Sequence, residues 1–150
     1  MNFNELAAKV TAFITPFLPY LIIGGESMAK ELGQQFGQTI FTKAQLLWSK
    51  LKNALDDSVF KNATMAFVEN PQSTSFQLAL ATALVSYLEK HPGETTQIES
   101  LMAEGEIIQF ILVEREGEVD NILQELKKTG GRQVQSGVVR GKVGNFTQKQ

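Results

Sequence analysis

Sixteen consecutive positions, 10–25, carry no charge: VTAFITPFLPYLIIGG, held between Lys9 and Glu26. A helix that spans a membrane needs roughly 18 to 20 apolar residues, and Pro16 and Pro19 bend this shorter run. Its large side chains, Phe17, Leu18 and Leu21 among them, suit a protein core, a membrane interface, or insertion helped by neighbouring helices. Glu5 upstream, and the lack of a small-x-small pattern downstream, argue against a cleaved secretory leader.

The next stretch, GESMAKELGQQFGQTIF, changes period. Gly25, Ala29, Gly33 and Gly37 recur every four positions and fall on one helix face, while Met28, Leu32, Phe36 and Ile40 run beside them. Glycine inside a helix costs about 0.5–1 kcal/mol relative to alanine, so a close helix–helix approach is the expected compensation. That approach fits tight packing in a water-soluble hairpin or a small-residue face in a bilayer. The pattern predicts that the same helix continues through KAQLLWSKLKNAL, with Leu46, Leu47, Trp48, Leu51 and Leu55 at helical spacing beside Lys43, Lys50 and Lys52. Trp48 among lysines suits a headgroup boundary or a domain surface.

Asn70-Pro71-Gln72-Ser73 reads as a turn, with Ser73 or Thr74 as the cap of a helix over FQLALATALVSYLEK that stops at His91-Pro92-Gly93. TTQIESLMAEGEIIQFILVE follows. Within it residues 107–113 fit helix or strand on pattern alone, and we assign helix. EVDNILQELKK is amphipathic through Val119, Ile122, Leu123 and Leu126, and its final lysines complement the helix dipole. Thr129-Gly130-Gly131 is expected to end it. The expected fold is therefore all-α: an N-terminal helical bundle or paired helical hairpins over 1–69, an acidic helical region over 70–128 packed on it, and a flexible glycine-rich tail over 129–150.

Charge sharpens this division. Residues 1–61 hold six lysines against five acids, 62–125 hold Lys90 and Arg115 against eleven acids, and 126–150 hold six bases and no acid. The chain has no cysteine and one histidine, His91, so thiolate sites and histidine triads lack partners, and His91 reads as a solvated helix end. Glu114, Glu116, Glu118 and Asp120 read as a solvated acidic face, since no nucleophile, base or metal partner accompanies them. The glycine-rich segments lack the lysine spacing of a phosphate loop. Neither an enzyme nor a cofactor is expected.

The tail GGRQVQSGVVRGKVGNFTQKQ holds too little large apolar surface for a core of its own. Gln133, Val134, Gln135 and Gly137 form one short piece, followed by Val138, and Val143, Gly144 and Asn145 form another of the same composition. One copy gains little from such pieces. Many copies in register gain continuous backbone ladders, dry valine rows and amide ladders, so the fitting partner is another tail.

This tail resembles the short amyloid signalling motifs of bacteria. Val134-Gln135-Ser136-Gly137 is similar to the V/I-Q-hydrophobic-G core of the homotypic interaction motif of necroptosis, with Ser136 departing from its apolar position. With FLPYLIIGGESMAKELGQQFGQTIFTKAQLLWSKL and ENPQSTSFQLALATALVSYLEK in front, the chain resembles bacterial Bell-type helical cell-death effectors. The resemblance implies a cell-death or antiphage switch in which an immune receptor with a matching motif templates the tail into cross-β and brings the N-terminal helices to membrane lipid. It also implies a cytoplasmic resting state and relocation to the inner face of the membrane on activation. Two alternatives are a soluble helical adaptor that recruits partners through its tail and a basic-tailed nucleic-acid accessory protein. The latter is disfavoured because Phe146 alone is available for base stacking in the tail.

Overall fold

The computed structural model describes residues 2–24 and 26–138, with the backbone alone at 26–29 and 129–138. Every regular element among the described residues is helical, as the hydropathy pattern predicts.

Helix α1 (Phe3–Ile14) starts where the Asn2 side chain accepts from the Glu5 amide at 3.0 Å. It is apolar nearly all round, and Leu6, Ala7, Ala8, Val10, Ala12, Phe13 and Ile14 are all buried. A helix of this kind belongs inside. It is the central helix of the bundle, in contact with α4 (Gln38–Leu51), α6 (Thr74–Lys90), α7 (Pro92–Met102) and α9 (Glu116–Val138). The alanines let those neighbours come close. The helix stops at the residues before Pro16, and α2 (Leu18–Ile23) restarts with Pro19 in its first turn, where the missing N–H leaves no bond unmade.

The long helix expected from residue 25 onward is two helices. Helix α3 (Glu26–Phe36) ends at Gly37, whose φ of 94° is open to glycine and costly for other residues, and α4 begins at Gln38 in a new direction. Helix α4 turns Phe41, Ala44, Leu47, Trp48 and Leu51 inward and runs into a short 3-10 turn, Lys52–Asp56.

Helix α5 (Ser58–Glu69) is capped by Asp57, whose Oδ1 accepts from the amides of Val59 at 2.9 Å and Phe60 at 3.2 Å. It pairs with α6 across the Asn70-Pro71 turn, and Ser73 caps α6 by accepting from the Phe76 amide at 3.1 Å. Ser73 is thus the cap chosen between the two expected candidates. After α7 comes α8 (Gly105–Phe110), which passes through a π turn, Ile111–Arg115, straight into α9. Residues 107–113 are helical, in line with the assignment from sequence.

One hydrophobic cluster draws side chains from both 1–69 and 70–128, including Phe13, Phe17, Leu47, Leu84, Ile98 and Ile107. The backbone of α9 stays helical to Val138, past the stop expected at Thr129-Gly130-Gly131. Extending an existing helix fixes one residue per hydrogen bond, so arginine and glutamines just beyond the pair of glycines offset part of their cost.

Candidate functional site

The apolar run at the N-terminus and the helix that leads into the tail meet at one joint. The π turn places Arg115 beside the C-terminal end of α1. Its Nε donates to the Ala12 carbonyl at 2.8 Å and its Nη2 to Thr15 Oγ1 at 3.3 Å, while Nη1 lies 3.7 Å from Glu118 Oε1. The last carbonyls of a helix have no partner within it, and a guanidinium there satisfies one while meeting the negative end of the dipole. Gln77 of α6 donates to the same Thr15 hydroxyl at 3.4 Å, so three helices share one polar junction. A cleft of about 830 Å³ opens over it, lined by Tyr20, Ser73, Gln77, Arg115, Glu118 and Asn121 among others.

Below the junction lies an aromatic cluster. The Phe17 ring sits 5.8 Å from Phe13, 5.2 Å from Phe36, 6.3 Å from Phe41 and 6.1 Å from Phe110, with interplanar angles from 41° to 67°. Phe13 and Phe110 meet edge to face at 5.6 Å and 82°. Such tilted and edge contacts suit the ring quadrupoles. Phe17 therefore joins the α1–α2 turn to α3, α4 and α8. From the first turns of α9, Val119, Ile122 and Leu126 close the core.

The residues singled out for packing or membrane contact separate here. Phe17 and Leu18 are in the core at 0% and 1% exposure, and Leu21 is half-buried against it. Trp48, expected at a headgroup boundary or a domain surface, is buried at 6% exposure, because it shares the inner face of α4 with Ala44, Leu47 and Leu51. The small-residue face does not persist as one stripe. Gly37 is the break itself, and a Cβ on Gly33 would meet Gln38 Oε1, the far end of a side chain, at 2.6 Å. Ala29 belongs to the α3 backbone, and Gly25 lies outside the described residues.

Of the assembly residues, Gln133, Val134, Gln135, Gly137 and Val138 fall on the last turns of the α9 backbone. Val143, Gly144 and Asn145 lie outside the described residues. The sequence reading missed Arg115, Thr15 and Gln77. An available signal was that Arg115 is one of only two bases in the acidic middle and stands two residues after the apolar run that ends at Val113.

A second polar cluster fastens α6 to α7. His91 is an exposed helix end, as expected, but it also stacks on Tyr87 with ring centroids 4.2 Å apart, and its Nδ1 lies 3.7 Å from Glu94 Oε2. The Tyr87 hydroxyl donates to Glu94, and Asn53 Nδ2 donates to Glu94 Oε1 at 3.1 Å. These hydrogen bonds, from Tyr87 first and Asn53 second, hold the Glu94 carboxyl below the ordinary range. Burial, and then the hydrogen bond to Glu94, push the Tyr87 phenol up. Lys43 of α4 pairs with Glu104 ahead of α8, and that hydrogen bond raises the Lys43 pKa.

Among the described residues no group of three or more metal-ligating side chains is gathered, and no helix is long and apolar enough to cross a membrane. Comparison of the chain with protein-family models, curated proteins and solved structures finds no match.

Proposed function

We propose that the protein is a helical effector of regulated cell death or antiphage defence, held at rest as a closed bundle and switched on through its C-terminal segment. In the cytoplasm, like segments presented by an immune receptor template residues 129–150 into cross-β. The load then falls on α9, α1 loses its cover, and the apolar N-terminal run comes to the inner face of the membrane. The supporting observation is the continuity of α9. Its first turns pack on α1 and its preceding residue, Arg115, holds the α1 carbonyl end, while its last turns carry the backbone of 133–138. One helix thus connects the part proposed to assemble with the part proposed to be released. The resemblance to Bell-type effectors points the same way.

Assembly requires the end of α9 to leave its helical conformation, since cross-β needs extended chains. Dye-loaded anionic liposomes test the whole route. Full-length protein seeded with preformed fibres of the 129–150 peptide should release dye, and unseeded protein should not. Equal and negligible release from both, with fibres present, would remove the membrane step.

The complete burial of Phe17 and Leu18 favours a second reading, a helical adaptor that assembles through its tail and never meets lipid. Flotation separates the two: seeded adaptor stays at the bottom of the gradient, and seeded effector rises with the liposomes.

A further inference from the structure

Apolar side chains crowd residues 107–113, and the helix cannot bury them all. Ile107, Phe110 and Ile111 face the core, whereas Ile108, Leu112 and Val113 are 45%, 54% and 66% exposed. Ile108 and Leu112 stand four residues apart and fall on one face of the continuous helix, and Val113 adjoins Leu112. A ridge of three large apolar side chains results. Glu106, Glu114 and Glu116 flank it along the chain and are exposed, and among the described residues no base lies within ion-pair distance of Glu114 or Glu116. Contiguous apolar surface flanked by charge marks a contact site.

The same chain contains a segment of opposite character. After Glu125 no acid occurs, and Val134, Val138, Val139 and Val143 alternate with Arg132, Arg140 and Lys142. Apolar side chains interleaved with cations match an apolar ridge flanked by carboxylates. Chain geometry decides whose segment docks. Helix α9 begins just after the ridge and carries the chain away for 23 residues, about 34 Å at the α-helical rise. Val143 follows Val138 by five residues, about 18 Å when fully extended. None of the four valines can return to the ridge of its own chain.

We infer that the acid-flanked ridge of Ile108, Leu112 and Val113 docks the basic C-terminal segment, residues 129–150, of a second copy of this chain. The contact is head to tail. It occupies the segments of resting molecules on bundles and so keeps them from each other, which sets a concentration and salt dependence on the switch. The docking stands independently of cross-β assembly.

Sedimentation velocity on the full chain, at concentrations that stay thioflavin-negative, tests this directly. The wild-type sedimentation coefficient should rise with concentration, and the Leu112→Ser, Val113→Ser variant should remain monomeric. In parallel, a labelled 129–150 peptide kept monomeric should bind the full chain, with affinity falling about tenfold or more in that variant and fading with added salt. Glu114→Lys, Glu116→Lys, which leaves the ridge intact, should weaken binding as well. A wild-type monomer at every concentration, or peptide binding indifferent to both variants, overturns the inference. Fibre growth indifferent to the ridge would overturn the sequestration of segments while leaving homotypic assembly standing. Ridge-dependent association without fibres at any concentration would sustain the docking and sink homotypic assembly.

Discussion

Arg115 Nε donates to the Ala12 carbonyl at 2.8 Å across 103 residues of sequence, and the two residues belong to the segments at the heart of the switch proposed above. A hydrogen bond to a charged donor contributes about 1.5–3 kcal/mol net. Arg115→Met keeps the aliphatic stem and removes the guanidinium, so it should lower stability by about 1.5–3 kcal/mol. Arg115→Lys should recover at most part, because an ammonium cannot serve Ala12 and Thr15 in the planar fork. Urea midpoints check both. If the joint governs release, the Met variant should also leak liposomes at a lower seed concentration.

Gly33 and Gly37 give opposite expectations. At Gly37 the φ of 94° excludes ordinary side chains, so Gly37→Ala should cost about 1–3 kcal/mol. At Gly33 the obstacle is the end of a flexible glutamine side chain, and alanine gains about 0.5–1 kcal/mol of helix propensity. Gly33→Ala should therefore be neutral or stabilising in thermal melts. A loss of stability at Gly33 equal to that at Gly37 would restore the continuous small-residue face that the structure interrupts.

Thr11 is fully buried in α1, and its hydroxyl has no hydrogen-bond partner among the described residues. An unmet buried hydroxyl costs about 1–3 kcal/mol. Thr11→Val, close in shape, should raise stability by about 1 kcal/mol, whereas Thr11→Ser, which keeps the hydroxyl and loses a methyl, should lower it by about 1 kcal/mol. Denaturant titration of the pair checks the sign of each.

The Glu94 cluster fixes an acid dependence. Its folded pKa lies below the ordinary 4.5, so the unfolded chain takes up that proton first as pH falls. The cluster's contribution to stability is complete above about pH 4.5 and is lost as pH drops through the depressed folded value. Tyr87→Phe removes the largest cause of the depression. Stability of wild type minus Tyr87→Phe should be positive near neutrality and shrink on acidification; a difference independent of pH would refute the assignment.

What was legible in the chain follows periodicity. Leu80, Leu84 and Leu88, or Val119, Ile122 and Leu126, announce helices and name their buried faces, because spacing along one helix is a local property. The N-terminal run was legible as apolar, but whether Phe17 and Leu18 meet protein or lipid depends on partners as remote as Phe110, which spacing does not encode. The break at Gly37 was hidden by its own regularity, since a glycine every fourth position reads equally as a packing face or as a hinge. The Arg115 junction and the Tyr87–His91–Glu94 cluster were not legible as units. Each depends on where helices end relative to one another, and that relation is set by the packed core.

The end of α9 sets the ease of the transition. Gly130 and Gly131 weaken the helix there, and alanine at each should strengthen it by about 0.5–1 kcal/mol. Gly130→Ala, Gly131→Ala should therefore lengthen the lag of seeded fibre growth followed by thioflavin fluorescence. An unchanged or shorter lag would mean that the helix does not oppose assembly.

Coupling between tail and α1 is the claim on which the rest depends. The chain has no cysteine, so Ala8→Cys, at a position with 0% exposure in the middle of α1, gives a single thiol that reports uncovering. Thiol labelling of this full-length variant, with and without 129–150 fibre seeds, is the direct measurement. The thiol should be protected at rest and react as the tails assemble; a thiol that stays protected while fibres grow to completion would contradict the account.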